Sequence, residues 1–327
     1  MRPEKLRLAH LPTPLLRHDA LDRLIGGEVW VKRDDMTGGA EAGNKIRKLE
    51  YLLADAQRRQ TRVVITCGGV QSNHARATAI LARRLGMRPV LLLRTHDGRA
   101  PASKLGNLLL DALVGAELRF ITPAQYASRD TLMHEAAQQL QRQGEPAYVI
   151  PEGGSNGLGA LGYVDAMAEV RAQLDAGDAG GPSAFDAVVH ACGSGGTAAG
   201  VCIGARLHGV AERAIAMAVC DDVAYFEQRI AQIIAEATHV LQASVPSAAP
   251  CVLDRWKGPA YAVPTEEQAR FIVTVARETG LIMDPVYTGK ALFALAQLTP
   301  KPRRTLFLHT GGLAGLLADP GPFETLL

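Results

Sequence analysis

Short runs of β-branched and other apolar residues alternate along the chain with longer stretches in which apolar residues recur every three or four positions. The short runs predict strands and the longer stretches predict amphipathic helices. The predicted strands are Val29–Lys32, Val63–Thr66, Val90–Leu93, Leu118–Ile121, Tyr148–Ile150, Ala187–Ala191, Ile215–Val219 and Thr305–Leu308. The predicted helices are Asn44–Arg58, Asn73–Leu85, Leu105–Leu113, Thr131–Gln143, Ala160–Leu174, Thr197–Leu207, Tyr225–Leu241, Glu266–Glu278 and Gly289–Leu298. This alternation predicts an α/β fold with mostly parallel sheets.

Composition narrows the class of protein. The 327 residues are 47% hydrophobic and 21% charged, which is typical of a globular chain with one large or two medium domains. A net charge of +2 argues against a nucleic-acid binder. No apolar run approaches the roughly 20 residues of a membrane helix, and charges and prolines interrupt the amino terminus where a signal peptide would be apolar. The five cysteines and nine histidines show no metal-ligand spacing, so we expect a cytoplasmic protein without a metal.

Four segments rich in glycine and hydroxyl residues stand where a strand pattern gives way to a helix. They are Gly43–Lys45, Gly68–His74, Gly193–Thr197 and His309–Gly312. In open α/β sheets this point lies at the carboxyl edge of the strands, where ligands usually bind.

The segment Gly193–Thr197 has the features of a phosphate-binding turn. The glycines Gly193, Gly195 and Gly196 allow consecutive backbone N–H groups to face an anion at the start of a helix. Ser194 and Thr197 add hydroxyl donors. The same residues also match G-x-G-x-x-A, with acidic residues after the next strand, so a dinucleotide-binding oxidoreductase remains an alternative.

Lys45 separates these hypotheses. It stands in the first turn of a predicted helix, where the helix dipole disfavours a cation and a surface lysine gains nothing. With Arg47 and Lys48 nearby, we expect a lowered pKa and hence the neutral amine that a Schiff base requires. The alternative is a solvated basic helix face.

Five motifs in order carry a resemblance to a known family. They are GNKxRKLE at 43–50, QSNH at 71–74, PxGGSN at 151–156, DPVYTGK at 284–290 and HTGG at 309–312. Together they resemble the pyridoxal-phosphate (PLP) enzymes of the D-cysteine desulfhydrase and 1-aminocyclopropane-1-carboxylate (ACC) deaminase family. The resemblance covers nearly the whole chain and implies the two-domain type II fold, usually as a homodimer. We expect a large cofactor domain of residues 1–48 and 157–327, with residues 49–156 inserted as a smaller domain.

The resemblance also implies roles for single residues. Lys45 matches the lysine that binds PLP covalently, Asn73 the asparagine at the phenolic oxygen, and Gly193–Thr197 the phosphate loop. Ser72 lies in the loop that takes the substrate carboxylate and is a candidate for proton transfer. The remaining matches are to substrate-binding and active-site positions: Gln71 and His74 in the same loop, and the tyrosines Tyr261 and Tyr287. For His74, capping or packing is the alternative.

Two threonines distinguish subgroups of this family. Thr288 matches a position near the pyridine nitrogen, and Thr310 matches a second cofactor-contacting position. Deaminases of the family resemble one another in having Glu and Leu there, and desulfhydrases have Thr at both. A neutral hydroxyl cannot keep the pyridine nitrogen protonated, which ring opening demands and β-elimination of a good leaving group does not.

The sequence therefore predicts a PLP-dependent carbon–sulfur lyase that converts D-cysteine to pyruvate, ammonia and sulfide. L-cysteate sulfo-lyase and ACC deaminase are the alternatives within the family. Ala42, Ala260 and Ala262 replace glycines that are common in relatives. An irregular segment is predicted at Ala243–Pro250.

Overall fold

A computed structural model describes residues 2–181, 183–242 and 250–327. Of the segment Ala243–Pro250, only Pro250 lies within the described residues. The strands are β1 (Leu15–Arg17), β2 (Glu28–Lys32), β3 (Val63–Gly69), β4 (Arg88–Arg94), β5 (Glu117–Ile121), β6 (Ala147–Val149), β7 (Phe185–Cys192), β8 (Ala211–Ala218), β9 (Cys251–Leu253) and β10 (Arg304–Leu308). The helices are α1 (Asp19–Ile25), α2 (Lys45–Arg58), α3 (Asn73–Arg84), α4 (Gly106–Leu113), α5 (Pro123–Ala127), α6 (Arg129–Arg142), α7 (Gly157–Asp175), α8 (Gly196–Leu207), α9 (Val223–Leu241), α10 (Glu266–Thr279), α11 (Thr288–Gln297) and α12 (Leu313–Ala318).

The strands form two sheets. The larger has the order β1-β2-β10-β7-β8-β9, and only β1 runs antiparallel to its neighbour. The smaller has the order β5-β4-β3-β6 and is entirely parallel. The prediction of an α/β fold with two mostly parallel sheets is confirmed.

Strand β7 shows why the larger sheet is covered by helices on both faces. Because successive strand residues point to opposite faces, Ala187 and Val189 pack into one apolar cluster while Val188 packs into another. The first cluster includes residues of α10 and α11, and the second includes residues of α7 and α8. Burying one Val or Leu side chain contributes about 1.5–3 kcal/mol, so both layers hold the sheet firmly.

The sequence pattern did not predict β1, β9, α1, α5 or α12. Strands β1 and β9 have three residues each and lie at the two edges of the larger sheet, so neither offers a periodicity to detect. The three helices have five to seven residues, too few for two turns of amphipathic pattern.

The smaller sheet is built from strands between residues 63 and 149, all within the predicted inserted segment 49–156. The strands of the larger sheet lie outside that segment. The boundaries at 48/49 and 156/157 stay predictions. Helix α2 crosses the first of them: it packs against α7, while Leu49 and Leu52 join the apolar cluster of the smaller sheet.

Candidate active site

A cavity of about 620 Å³ lies where β3, β4 and β7 end and where the chain leaves β8 and β10. Parallel strands bring their carboxyl ends to one edge of a sheet, and the cavity joins those edges of the two sheets. Residues of all four predicted ligand-binding segments line it. The sequence analysis places each segment at a carboxyl strand edge where ligands bind, and the structure brings residues of all four to this one cavity.

Two of the segments are joined by backbone contact. The Asn44 N–H donates to the Thr310 carbonyl at 3.1 Å, and Asn44 Nδ2 donates to Thr197 Oγ1, also at 3.1 Å. Gly43 has φ +126°, and a Cβ there would lie 3.0 Å from the Thr310 carbonyl oxygen. Only glycine fits this approach, which places the residue after it, Asn44, and then Lys45 at the cavity.

Lys45 opens helix α2 and its side chain lines the cavity. Burial lowers the pKa of its amine to about 8, and the nearby negative charge of Glu152 opposes this only in part. No acceptor among the described residues takes a hydrogen bond from Lys45 Nζ. The amine is therefore available to a ligand, and roughly a tenth of it is neutral at pH 7, far more than for a lysine of ordinary pKa.

Arg47 does not contribute to the lowered pKa of Lys45, contrary to the expectation from sequence. Its guanidinium donates to Asp34 Oδ1 at 2.8 Å and to Glu169 at 3.0 Å, and Thr13 and Tyr163 complete the buried network. Although burial alone would raise it, Arg47 holds the pKa of Asp34 below its ordinary value. The positive charge of Arg47 is thus neutralised.

The side chain of Lys48 is buried as well. Burial and the charge of Lys45 lower its pKa well below the ordinary value, and its Nζ donates to the Gly153 carbonyl at 3.1 Å. The hypothesis of a solvated basic face is wrong for Arg47 and Lys48, which are both 1% exposed.

The segment Gly193–Thr197 forms a tight turn into helix α8. Gly195 caps the helix with φ +84°, and a Cβ on Gly196 would lie 2.6 Å from Ser155 Oγ. Ser155 Oγ accepts from the Gly196 N–H at 3.2 Å and contacts Ser194 Oγ at 2.8 Å. The N–H groups of Thr197 and Ala198 have no recorded acceptor within the described chain, as expected at an anion-binding helix start.

Helix α3 begins at the second loop, with Ser72 as its N-cap. Ser72 Oγ accepts from the Ala75 N–H at 3.1 Å and lines the cavity with Asn73 and His74. The N–H groups of Asn73 and His74 have no recorded acceptor in the part of the chain described. A carboxylate at this helix start would gain both donors and the helix dipole.

His74 is 3% exposed and contacts Thr66 Oγ1 through Nε2 at 2.9 Å. Because Thr66 Oγ1 donates its hydrogen to the Ile150 carbonyl, Nε2 must be the donor to Thr66. Burial and the charges of Lys45 and Lys48 lower the pKa of His74 well below its ordinary value. His74 is therefore a neutral packing residue that also faces the cavity.

Two tyrosines close another side of the cavity. The hydroxyl oxygens of Tyr261 and Tyr287 lie 2.5 Å apart, and the rings meet edge to face with centroids 6.0 Å apart. Burial raises the pKa of Tyr261 to about 12 and that of Tyr287 well above its ordinary value. Both hydroxyls stay protonated at neutral pH, and one hydroxyl hydrogen of the pair remains free for a ligand.

Three predicted site residues do not line the cavity. Gln71 donates to the Leu105 carbonyl and accepts from the Asn107 N–H, so its side chain anchors the start of α4. Gly196 lies behind the turn against Ser155. Thr288 is fully buried, and its hydroxyl donates to the Asp284 carboxylate at 2.6 Å. The other predicted site residues all line the cavity.

Sequence reasoning missed several cavity residues: Arg94, Tyr126, Arg129, Glu152 and Tyr225. Arg94 ends β4, so the rule that ligands bind at the carboxyl edge would have found it. Glu152 is the variable position in the motif PxGGSN, and Tyr126 and Arg129 belong to the short helix α5 and the start of α6. These had no motif to mark them.

The residues present fit PLP. The turn at 193–197 offers free N–H groups and hydroxyls suited to a phosphate, and its glycines leave no side chain in the way. Lys45 offers an amine of lowered pKa with no partner among the described residues, and Asn73 brings a polar amide to the same cavity. A phosphate site and a neutral amine in one cavity are what an aldehyde-bearing phosphate cofactor requires.

No helix in the described part of the chain is both long and apolar enough to cross a membrane. No group of three His, Cys, Asp or Glu side chains within residues 2–181, 183–242 and 250–327 is arranged to hold a metal ion.

Comparison with known proteins identifies the family. The model of the family described as "Pyridoxal-phosphate dependent enzyme" matches residues 6–311. A protein of Arabidopsis thaliana named bifunctional D-cysteine desulfhydrase/1-aminocyclopropane-1-carboxylate deaminase, mitochondrial, is 42% identical, over 94% of this chain and 78% of its own. A D-cysteine desulfhydrase of Yersinia pestis is 37% identical, over 96% and 95%.

Among solved structures, one described as an ACC deaminase homologue superposes with a TM-score of 0.90 at 36% identity, covering 99% of this chain and 97% of that one. A fungal L-serine ammonia-lyase from Rhizomucor miehei, with a TM-score of 0.64 and 16% identity over 93% of this chain and 94% of its own, shares the fold. The cavity, its lysine and its phosphate turn thus fit the cofactor expected from the sequence, and the chain belongs to the pyridoxal-phosphate-dependent enzymes.

Proposed function

We propose that this enzyme is a β-eliminating lyase that converts D-cysteine and water to pyruvate, ammonia and hydrogen sulfide. The relatives named D-cysteine desulfhydrase, aligned along nearly their full length, support this activity. The structural observation that carries the proposal is that neither position 288 nor position 310 offers a carboxylate, although the Thr288 side chain itself does not line the cavity. Thr310 lines the cavity.

The surroundings of Thr288 strengthen this argument. Its hydroxyl donates to Asp284, and the Asp284 carboxylate also accepts the N–H groups of Val286, Tyr287 and Thr288. Asp284 is 3% exposed and is consumed by this capping of α11. Neither side chain is therefore free to hold a proton on the pyridine nitrogen, which favours β-elimination over the opening of a cyclopropane ring.

The chain supplies the proton acceptor and the substrate clamp. When bound, PLP supplies an electron sink at the substrate Cα. Lys45 Nζ takes the Cα proton, and the lowered pKa of the amine keeps a neutral fraction available for this. The start of α3 holds the substrate carboxylate on the N–H groups of Asn73 and His74, with the Ser72 hydroxyl beside them. Ser72 is the second candidate for proton transfer.

The remaining cavity groups orient the substrate. The free hydroxyl hydrogen of the Tyr261–Tyr287 pair donates to the substrate, because burial keeps both phenols protonated. Thr197, Ser194 and the backbone of the turn hold the cofactor phosphate. Fixing both ends of the reacting group aligns the Cα–H bond without further ordering at the time of reaction.

We also propose that the enzyme is a cytoplasmic homodimer. Exposed leucines on α4 and α12, which pack together, support the dimer: Leu109, Leu113, Leu313 and Leu317. Leu113 and Leu317 are each 70% exposed. Light scattering should give twice the chain mass, and Leu113→Glu with Leu317→Glu should halve it, whereas Leu207→Glu on α8 should not.

The activity is tested by incubating the PLP-loaded enzyme with D-cysteine, L-cysteine, L-cysteate and ACC under identical conditions. Sulfide and pyruvate from D-cysteine are expected, and Lys45→Ala should abolish both. Lys257→Ala, a lysine outside the cavity, is the matched control.

Other products have definite meanings in the same assay. If the enzyme releases sulfite from L-cysteate and acts on none of the other compounds, the substrate is L-cysteate, and the reaction is still a β-elimination. Release of 2-oxobutyrate from ACC would contradict the argument from Thr288 and Thr310, and the Arabidopsis relative's bifunctional name makes that comparison necessary.

A further inference from the structure

Arg94 stands at the end of β4 and lines the cavity, yet the elimination described above gives it no role. Its guanidinium lies 4.7 Å from the ring centroid of Tyr126 and 5.7 Å from that of Tyr261. Two aromatic faces hold the cation in place while leaving its N–H donors unused. No carboxylate of the described residues lies within ion-pair distance of Arg94.

The neighbouring Arg129 shows the difference. It also lies over the Tyr126 ring, at 5.0 Å, but its Nε is 3.0 Å from Glu152 Oε2. Glu152 in addition accepts the Tyr126 hydroxyl at 2.5 Å. Glu152 is therefore occupied by Arg129 and Tyr126, and neither it nor Asp221, the other acid that lines the cavity, forms an ion pair with Arg94 within the described residues.

Arg94 is also close to the loop that receives the substrate. A carbon placed on Gly69 would lie 3.9 Å from Arg94 Nη2 and 3.7 Å from Tyr261 Cε1. Gly69 precedes the start of α3, where the substrate carboxylate binds in the proposed reaction. The guanidinium thus faces the space beside a substrate whose carboxylate is held at Asn73 and His74.

We propose that Arg94 binds the anionic sulfur substituent on Cβ of the substrate and so favours substrates that carry a sulfonate on Cβ or lose the basic hydrosulfide anion from it. The inference rests on the proposed elimination. In that step the Cα–H bond breaks, its proton passes to Lys45, and its electron pair forms the Cα=Cβ bond. The Cβ–S bond breaks and sulfur departs with its electron pair, as hydrosulfide from cysteine or sulfite from cysteate. A fixed guanidinium stabilises that developing charge.

Binding tests this without any turnover. Calorimetric titration of the PLP-loaded enzyme uses three compounds that lack an amino group: 3-sulfopropanoate, 3-mercaptopropanoate and butanoate. Arg94→Met should weaken the binding of 3-sulfopropanoate by roughly tenfold to a hundredfold, as expected when a charge-assisted hydrogen bond is lost. It should weaken the binding of butanoate by less than about twofold. Arg94→Lys, which keeps the charge, should recover part of the loss. Arg119→Met, on the adjacent strand and outside the cavity, is the matched control.

The two sulfur probes distinguish the sources of charge. A loss of binding confined to 3-sulfopropanoate assigns Arg94 to a sulfonate. A loss of 3-mercaptopropanoate binding at a pH where its thiol is ionised assigns Arg94 to a thiolate as well. An equal change for butanoate and both sulfur compounds, or no change for any of them, would overturn the inference.

Kinetics separates failure of this inference from failure of the proposed function. With D-cysteine, Arg94→Met should lower kcat/KM by roughly tenfold or more, while β-chloro-D-alanine, whose chloride needs little stabilisation, should lose much less. Equal losses for the two substrates would overturn the role of Arg94 in an enzyme that still eliminates. Wild-type enzyme that releases no product from any of the substrates would refute the elimination, and the binding result would still decide the anion site.

Discussion

The side-chain amide of Asn107 donates a hydrogen bond to Asn73 Oδ1 over 3.1 Å. Its Nδ2 also donates to the backbone carbonyl of Gln71 at 3.0 Å, and Asn107 is fully buried. Helix α4 therefore fixes the rotamer of Asn73 from behind, so that the amide of Asn73 is oriented in the cavity before a ligand arrives. A residue outside the cavity lining thus sets the direction of one inside it.

We expect Asn107→Ala to weaken PLP binding by about fivefold to tenfold, because a net contribution of about 1 kcal/mol is lost from the orientation of Asn73. Fluorescence titration of the apoenzyme with PLP measures this. Asn156→Ala, which removes a helix cap on α7 through the contact to the Gly159 N–H, should lower stability by about 1 kcal/mol and leave PLP affinity unchanged. Equal PLP affinity in wild type and Asn107→Ala would refute the role of Asn107.

The pH dependence of the reaction should follow the Lys45 amine. Because the neutral amine is the base and its pKa lies at about 8, kcat should fall about tenfold per pH unit below about pH 8 and level off above it. The tyrosines should add no falling limb below about pH 10, since burial raises the pKa of Tyr261 to about 12. Steady-state rates from pH 6 to 10 test this, and a rate independent of pH below 7 would contradict it.

Removing Arg47 should destabilise the protein far more than removing an exposed arginine of the same helix. Arg47→Met leaves the fully buried Asp34 without its cation, at a cost of about 3–5 kcal/mol. Arg58→Met removes an ion pair whose arginine side chain is 68% exposed, with an expected effect below about 1 kcal/mol. Urea unfolding measures both, and similar midpoints for the two variants would show that the buried network contributes little.

The substitution Ala262→Gly should make the protein more stable to unfolding. It is one of three non-glycine residues with positive φ among the described residues, at +64°, and this conformation costs an L-residue about 1–2 kcal/mol. Glycine also raises the conformational entropy of the unfolded chain, which offsets part of this gain. The net effect of Ala262→Gly should be an increase of about 0.5–1 kcal/mol in the free energy of unfolding. Ala260→Gly, where φ is not positive, should instead lose stability. Thermal unfolding decides, and a lower melting temperature for Ala262→Gly would contradict the argument.

The longer regular elements, and the position of each motif between a strand and a helix, could be predicted from sequence because both depend on local pattern. The sequence predicts the strand run Val90–Leu93, and the carboxyl-edge rule could have marked Arg94, one residue later, as a cavity residue. The contacts of its guanidinium with two tyrosine rings, by contrast, appear only in the folded structure. Thr288 shows the opposite case. It follows Tyr287 directly, but the start of α11 turns its hydroxyl towards Asp284 instead of the cavity.

The relation between Arg47 and Lys45 could not be read from their spacing either. Sequence places them two residues apart, which suggests that one charge acts on the other. The pairing of Arg47 with Asp34 depends on a residue 13 positions away in the chain, and only the folded structure shows it.

The relative directions of Lys45 and Arg47 on helix α2 matter for the design of a protein that would carry this lysine on another fold. A helix turns by about 100° per residue, so Arg47 and Lys45 point in nearly opposite directions. The hydrogen bonds from Arg47 to Asp34 and Glu169 therefore fix the rotation of helix α2 about its own axis. This rotation sets the direction in which the Lys45 amine points. A designed protein that carries Lys45 without the Arg47 contacts would contain the reactive amine but would not fix its direction.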